Sequence, residues 1–277
     1  MLDLMNNARI GVAAQALGLA EAAFHDASVY ASQREQFGQP IAKQPLVMTM
    51  LAKMAVNIEA VRALCYNAFE LIDLTQARET ALAGSALSEA ERGAHQETLE
   101  RDTVRLRLLT PLVKYFATEV CHDITRDAMQ ILGGVGYTMD SDVAKLHADS
   151  LIMTVYEGTS EIQASFALKE VGKGALAVVF DQARKEVAAM RGDPKRAPLA
   201  ERVSGMIGRV EESTKVLFGD IQYALLRAKL LAEMVIDVLA ATELLRQAGA
   251  DPRRIDVAES FVLRRALEGE TMARRIE

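Results

Sequence analysis

The residues best placed to do chemistry lie in the stretch Leu151-Ile-Met-Thr-Val-Tyr-Glu-Gly-Thr-Ser-Glu-Ile-Gln163. An apolar run delivers Tyr156 and Glu157 to a break at Gly158. Thr159 and Ser160 then offer side-chain oxygens that can cap a helix starting near Glu161. Ile162 and Phe166 share one face of that helix, flanked by Leu168 and Val171. A carboxylate on a short loop directly before a helix suits general-base work. Such a base needs a fixed position and a partly apolar setting that raises its pKa toward working pH. The same pattern also fits a turn residue ahead of an ordinary N-cap, and by itself it favours that plainer reading.

Two further segments change the balance: Gln130-Ile-Leu-Gly-Gly-Val-Gly-Tyr137 and Arg34-Glu-Gln-Phe-Gly-Gln-Pro-Ile41. With Tyr156 to Gln163, and in this order, they resemble the C-terminal helical domain of the acyl-CoA dehydrogenase family, over Met1 to about Gly174. The resemblance implies that Glu157 removes the α-proton of an acyl-CoA thioester, with its own backbone N–H polarising the thioester carbonyl. Hydride from the β-carbon would pass to N5 of FAD, giving a trans-2-enoyl-CoA, with an electron-transfer flavoprotein as the onward partner. Arg34, Gln36 and Phe37 match residues that hold the FAD pyrophosphate and adenine end, usually from the neighbouring subunit. Gln130 and Gly134 match another part of that inter-subunit contact, and Thr159 matches a residue close to the flavin's phosphates. Arg9 matches an arginine near the CoA moiety, and Tyr156 and Gly158 flank the base on the substrate side. Inter-subunit FAD contacts imply a homodimer or homotetramer.

Some relatives place the catalytic glutamate on the first helix of this domain. Ala8 stands at the corresponding position here and cannot take a proton, which favours Glu157. The family's N-terminal helical domain and middle β-domain have no counterpart in the sequence. A competing expectation is therefore an isolated C-terminal piece, inactive alone and acting as an oligomerisation module. An acyl-CoA oxidase or a DNA-damage-associated homologue is a third.

Composition narrows the classes. Of 277 residues 50% are hydrophobic but only 5% aromatic, and tryptophan is absent, so Leu, Ala, Met and Val must fill the core. The net charge of −6 argues against a general nucleic-acid or anionic-membrane surface. Cys65 and Cys121 fall within apolar helical patterns, as buried thiols of a reducing compartment do. No basic n-region leads the N-terminus and no run approaches a membrane span, so a cytoplasmic address is expected. His25-Asp26 and His122-Asp123 are neighbours whose side chains diverge on a helix, and no spacing fits a metal site.

The elements that must position these residues read as helices throughout. The first is expected over Leu4 to about Gln33, with Gly11 and Gly18 suggesting a close crossing. The second starts at Pro45 and fades near Gln76. Residues 77–102 read as a polar connector with His95 on its surface, longer than the equivalent family loop. A third helix follows over Thr103–Leu132, with Pro111 near its first turns and Gly133-Gly134 as its stop. That glycine motif follows a helix rather than a strand, which excludes a dinucleotide fingerprint. A short helix is expected over Asp140–Ser150, and no β-hairpin signal is seen. Beyond Gly174, helices are expected over Ala175–Met190, Leu199–Gln247 with a break at Gly219-Asp220, and Arg253 to about Glu268, with a Pro-rich linker at 191–198. The stripe Leu225, Leu226, Leu230, Met234, Val235, Val238, Leu239 would suit a membrane surface, but Glu233, Asp237 and Glu243 favour protein packing. The expected class is all-α: an antiparallel up-and-down four-helix bundle over residues 1–174 and a packed helical extension over 175–277.

Overall fold

The computed structural model describes residues 2–84 and 87–277, with side chains from residue 8 onward. Helix α1 (Leu2–Gln33) leads through a two-residue antiparallel pair, β1 (Glu35–Gln36) and β2 (Gln39–Pro40), into α2 (Pro45–Ala83). The long α3 (Glu89–Leu132) is followed by the single turn α4 (Gly134–Tyr137), then α5 (Val143–Met153) and α6 (Ser160–Gly172). Ion pairs fix the directions. Lys53 near the start of α2 meets Asp127 late in α3 at 3.9 Å, and Arg78 late in α2 meets Asp102 early in α3 at 2.7 Å. These two helices are therefore antiparallel, and the short hairpin makes α1 antiparallel to α2 as well.

The fourth member of the bundle runs back along α3 in two pieces. Ser150 on α5 lies 3.1 Å from Thr125, and Glu170 on α6 lies 3.9 Å from Arg107. The break between the pieces is the segment that carries Glu157. The extension follows as α7 (Ala175–Ala189), α8 (Ala197–Leu217), α9 (Ile221–Leu226), α10 (Ala228–Ala250) and α11 (Ile255–Ile276). It packs on α2, α3 and α6, with Tyr115 donating to Glu233 at 2.7 Å and Lys229 pairing with Glu161 at 3.2 Å. In the apolar stripe, Met234, Val235 and Val238 are buried in this interface, whereas Leu225 and Leu226 stay exposed. Among the described residues, no helix is long and apolar enough to cross a membrane.

Several elements differ from expectation for identifiable reasons. The polar segment 77–102 is mostly helix rather than connector; its residues 85 and 86 lie outside the described residues. Its signal was a capping box: the Ser88 Oγ accepts from the Glu91 N–H at 3.4 Å and the Glu91 carboxylate accepts from the Ser88 N–H at 2.9 Å. Once α3 starts at Glu89, Pro111 falls in its interior instead of its first turns. His95 is half-buried on this helix, and its Nδ1 has no partner among the described residues. The hairpin turn uses Phe37 (φ 54°) and Gly38 (φ 78°), two left-handed residues that match strand twist, but Phe-Gly lacks the usual Asn-Gly signature. Gly11 and Gly18 face open space, so they make no close crossing. Gly136 is tight against the end of α3 instead: an added Cβ would lie 2.9 Å from the Leu132 Cβ. The last helix runs on to Ile276, because Phe261, Val262, Met272 and Ile276 continue one buried face.

Candidate active site

The segment from Thr154 to Thr159 interrupts the fourth helix, and its backbone is unusual. Glu157 has φ 57° and Gly158 has φ 96°, a left-handed pair that only glycine adopts without cost. The loop is closed by the Ser160 N–H donating to the Thr154 carbonyl at 3.1 Å. Thr159 caps α6, its Oγ1 accepting from the Ile162 N–H at 3.4 Å. The N–H groups of Glu157 and Gly158 have no partner among the described residues, so they are free to donate to a bound oxygen.

Buried groups hold this loop from below. Gln163, 0% exposed, donates through Nε2 to the Glu157 carbonyl at 2.9 Å and the Gly158 carbonyl at 3.2 Å. Lys114, also 0% exposed, reaches from α3 to the Gly158 carbonyl at 2.9 Å. Ser160 donates to the Glu119 carboxylate. From α1, Gln15 accepts from the Tyr156 hydroxyl at 2.5 Å, and the Arg9 guanidinium lies 4.9 Å from the centre of the Phe166 ring. The Arg9 Nε is buried without a partner among the described residues. Arg9, Tyr156, Glu157, Gly158 and Thr159 thus gather where α1, α3 and α6 meet. Glu157 itself is exposed, so the partly apolar setting expected for a base is not supplied by this chain.

A second group lies elsewhere. Lys53 follows closely on the hairpin and meets Asp127, which places the hairpin at the end of the bundle where α3 terminates. Arg34, Gln36 and Gln130 are exposed there, and Phe37 is 92% exposed. Gly133 (φ 62°) ends α3, and a Cβ on Gly134 would meet nothing within 4 Å. Packing within the chain therefore does not require glycine at position 134. Gln130 is four and a half helical turns beyond Lys114, about 24 Å along α3, so a single chain does not unite the two groups.

Gly158 is locked twice: by its φ, and because an added Cβ would lie 2.6 Å from the Gln163 Nε2. Gly158→Ala is expected to destabilise the protein by about 1–3 kcal/mol, read by denaturant unfolding. An unchanged unfolding midpoint would show that the loop relaxes freely.

Residues 1–172 match the family described as "Acyl-CoA dehydrogenase, C-terminal domain". The chain belongs to the acyl-CoA dehydrogenase family. A 3-(aryl)acrylate reductase of Clostridium sporogenes is 38% identical over 155 residues, 56% of this chain and 34% of that protein. The caffeyl-CoA reductase-Etf complex subunit CarC of Acetobacterium woodii is 34% identical over 155 residues, with the same shares of 56% and 34%. The match thus spans about a third of the length of these relatives. The crystal structure of an acyl-CoA dehydrogenase from Bacillus anthracis complexed with FAD superposes with a TM-score of 0.78 at 22% identity, covering 99% of this chain and 49% of that one. The acyl-CoA dehydrogenase fold likeness therefore includes the helical extension.

Three residues that shape the site lie outside the motifs, Gln15, Lys114 and Glu119, and Gln163 closes the loop motif without a role read for it. Lys114 left the clearest trace, as a lone charge in the otherwise uncharged run Leu108–Thr118. A lysine inside a buried helical face needs a partner, and here the partner is the loop.

Proposed function

We propose that this chain supplies the catalytic base and part of the FAD site of an enzyme that interconverts an acyl-CoA thioester and its trans-2-enoyl-CoA. The observation that carries this reading is Glu157 on a strained loop, with its own N–H and that of Gly158 unclaimed among the described residues. Glu157 takes the proton from the α-carbon. The Glu157 N–H stabilises the charge that develops on the thioester oxygen. Arg9 is a cation next to the loop, suited to the phosphates of CoA, and Tyr156 is steadied by Gln15. For a reductase the same carboxyl works in reverse, donating the proton to the α-carbon, and two relatives carry reductase names.

FAD fits the second group by its chemistry. Arg34 offers a paired donor for pyrophosphate, Phe37 an exposed face for adenine, and Gly134 open backbone for close approach. Bound FAD supplies the hydride acceptor. Separation of the two groups along α3 supports FAD shared across a subunit interface, in a homodimer or homotetramer. An electron-transfer flavoprotein is the proposed redox partner, in keeping with the Etf complex named for CarC.

The exposure of Glu157 favours a second reading, in which this chain is a domain that works only beside others. The test is to supply the purified protein with FAD, an acyl-CoA and an artificial electron acceptor. A flavin spectrum that changes on binding, with formation of enoyl-CoA, supports the enzyme. Flavin retention without turnover favours the second reading, and absence of both overturns the FAD assignment.

A further inference from the structure

Lys114 is a charged side chain that the fold buries completely, at 0% exposure. It stands mid-way along α3, and its Nζ makes a single hydrogen bond among the described residues, to the Gly158 carbonyl. A buried ammonium without a tight ion pair is unfavourable, since burial strips its hydration. That cost appears in its acidity: burial draws the Lys114 pKa down from 10.5 to about 8, while the Glu119 and Glu157 carboxylates oppose the fall and Arg9 adds to it. A folded pKa below the unfolded one means that the charged lysine weakens the fold at neutral pH. Core packing alone would be served better by methionine, so the residue's benefit must lie in what it touches.

What it touches is the backbone directly after the proposed base. The Gly158 carbonyl accepts from both Lys114 and Gln163, and Gln163 also holds the Glu157 carbonyl. Glu119 anchors the chain two residues on, at Ser160, and lies close enough to Lys114 to stabilise its charge. Two oriented carbonyls and two buried donors fix the peptide planes on either side of Gly158. They thereby fix the direction of the Gly158 N–H and, at the Glu157 Cα, the exit of its side chain.

We propose that Lys114, with Gln163 and Glu119, is a positioning residue: it pins the left-handed Glu157–Gly158 turn from beneath and so aims the Glu157 carboxylate and the Gly158 N–H at the substrate. This rests on the reading of Glu157 as the base, but its structural half is testable without it.

Two measurements decide it on the full chain. First, amide hydrogen exchange is followed in Lys114→Met. The Ser160 amide, which closes the loop on the Thr154 carbonyl, is expected to exchange at least about tenfold faster, while the remaining protected amides and the unfolding midpoint at pH 7 hold or improve. A loop as protected as in the parent protein would overturn the proposal, as would a uniform loss of protection across the bundle. Second, the Lys114 side chain is titrated by NMR in the parent protein, in Glu157→Gln and in Glu119→Gln. Each carboxylate removed is expected to lower the lysine midpoint; a midpoint that moves in neither variant overturns the proposed geometry. This titration decides the matter even if Lys114→Met fails to fold. In the FAD-supplied protein, Lys114→Met is expected to reduce turnover through kcat more than KM. A loosened loop in a protein whose Glu157→Gln variant retains full turnover would defeat the assignment of the base and leave the clamp standing.

Discussion

Glu157→Gln is expected to slow α-proton removal by about two to four orders of magnitude, the usual worth of a positioned general base. The readout is exchange of the acyl-CoA α-hydrogen for solvent deuterium in the FAD-supplied protein, which reports the proton step without requiring an electron acceptor. Stability should change little, because the side chain is exposed and makes no hydrogen bond among the described residues. Glutamine keeps the shape and the backbone N–H, so substrate binding should persist and the loss should fall on kcat. Exchange at near-parental rate would sink the assignment. A companion variant separates chemistry from conformation. Glu157→Gly relieves the φ 57° backbone and should remove proton transfer while costing no stability. A carboxylate retained in a conformation where glycine is easier is the signature of function taking precedence over stability.

Much of the architecture was legible because it depends on one-dimensional signals. Proline at the start of α2, Gly133 after α3 and Thr159 before α6 each satisfy or release specific backbone groups, so they mark ends whatever the tertiary context. The interior of 77–102 was misread because its surface charges mimic a linker. Yet Gln96 and Glu100, four apart and bonded at 2.9 Å, are what a solvated helix carries. The site was legible in its loop and opaque in its support. Glu157, Gly158 and Thr159 are contiguous in sequence, whereas Lys114 and Gln15 reach the loop from other helices, and no local pattern records a meeting across the bundle. The exposure of Glu157 is of the same kind, since whether a side chain is covered depends on what packs over it. His122 shows the converse: the nominal neighbour Asp123 is not its partner, and it stacks instead on His147 with ring centres 5.0 Å apart.

The largest stability effect should lie in the extension, at the pair formed by Asp237 on α10 and Arg265 on α11. The Asp237 side chain is 1% exposed, one of its oxygens has no partner among the described residues, and burial raises its pKa to about 7. The Arg265 guanidinium opposes that rise and also reaches Glu268 at 2.5 Å. Arg265→Met leaves the carboxylate buried and uncompensated, which should cost about 3–5 kcal/mol at pH 8. The loss must depend on pH, with a definite sign. A carboxyl whose folded pKa lies above its unfolded value penalises the fold only where the unfolded chain is ionised. The penalty is therefore small near pH 4, the ordinary aspartate value of about 3.9, and grows as pH rises through the folded pKa. Denaturant unfolding at pH 5 and pH 8 should show the larger loss at pH 8, and equal losses would mean that Asp237 finds another cation. Adding Asp237→Leu to Arg265→Met removes the stranded charge and should recover most of the stability, since an apolar pair of similar volume often equals a buried ion pair. Because α10 also packs on α6, whose first turn carries Glu161 opposite Lys229, loosening α11 alone should leave the loop intact while the extension unfolds at lower denaturant than the bundle.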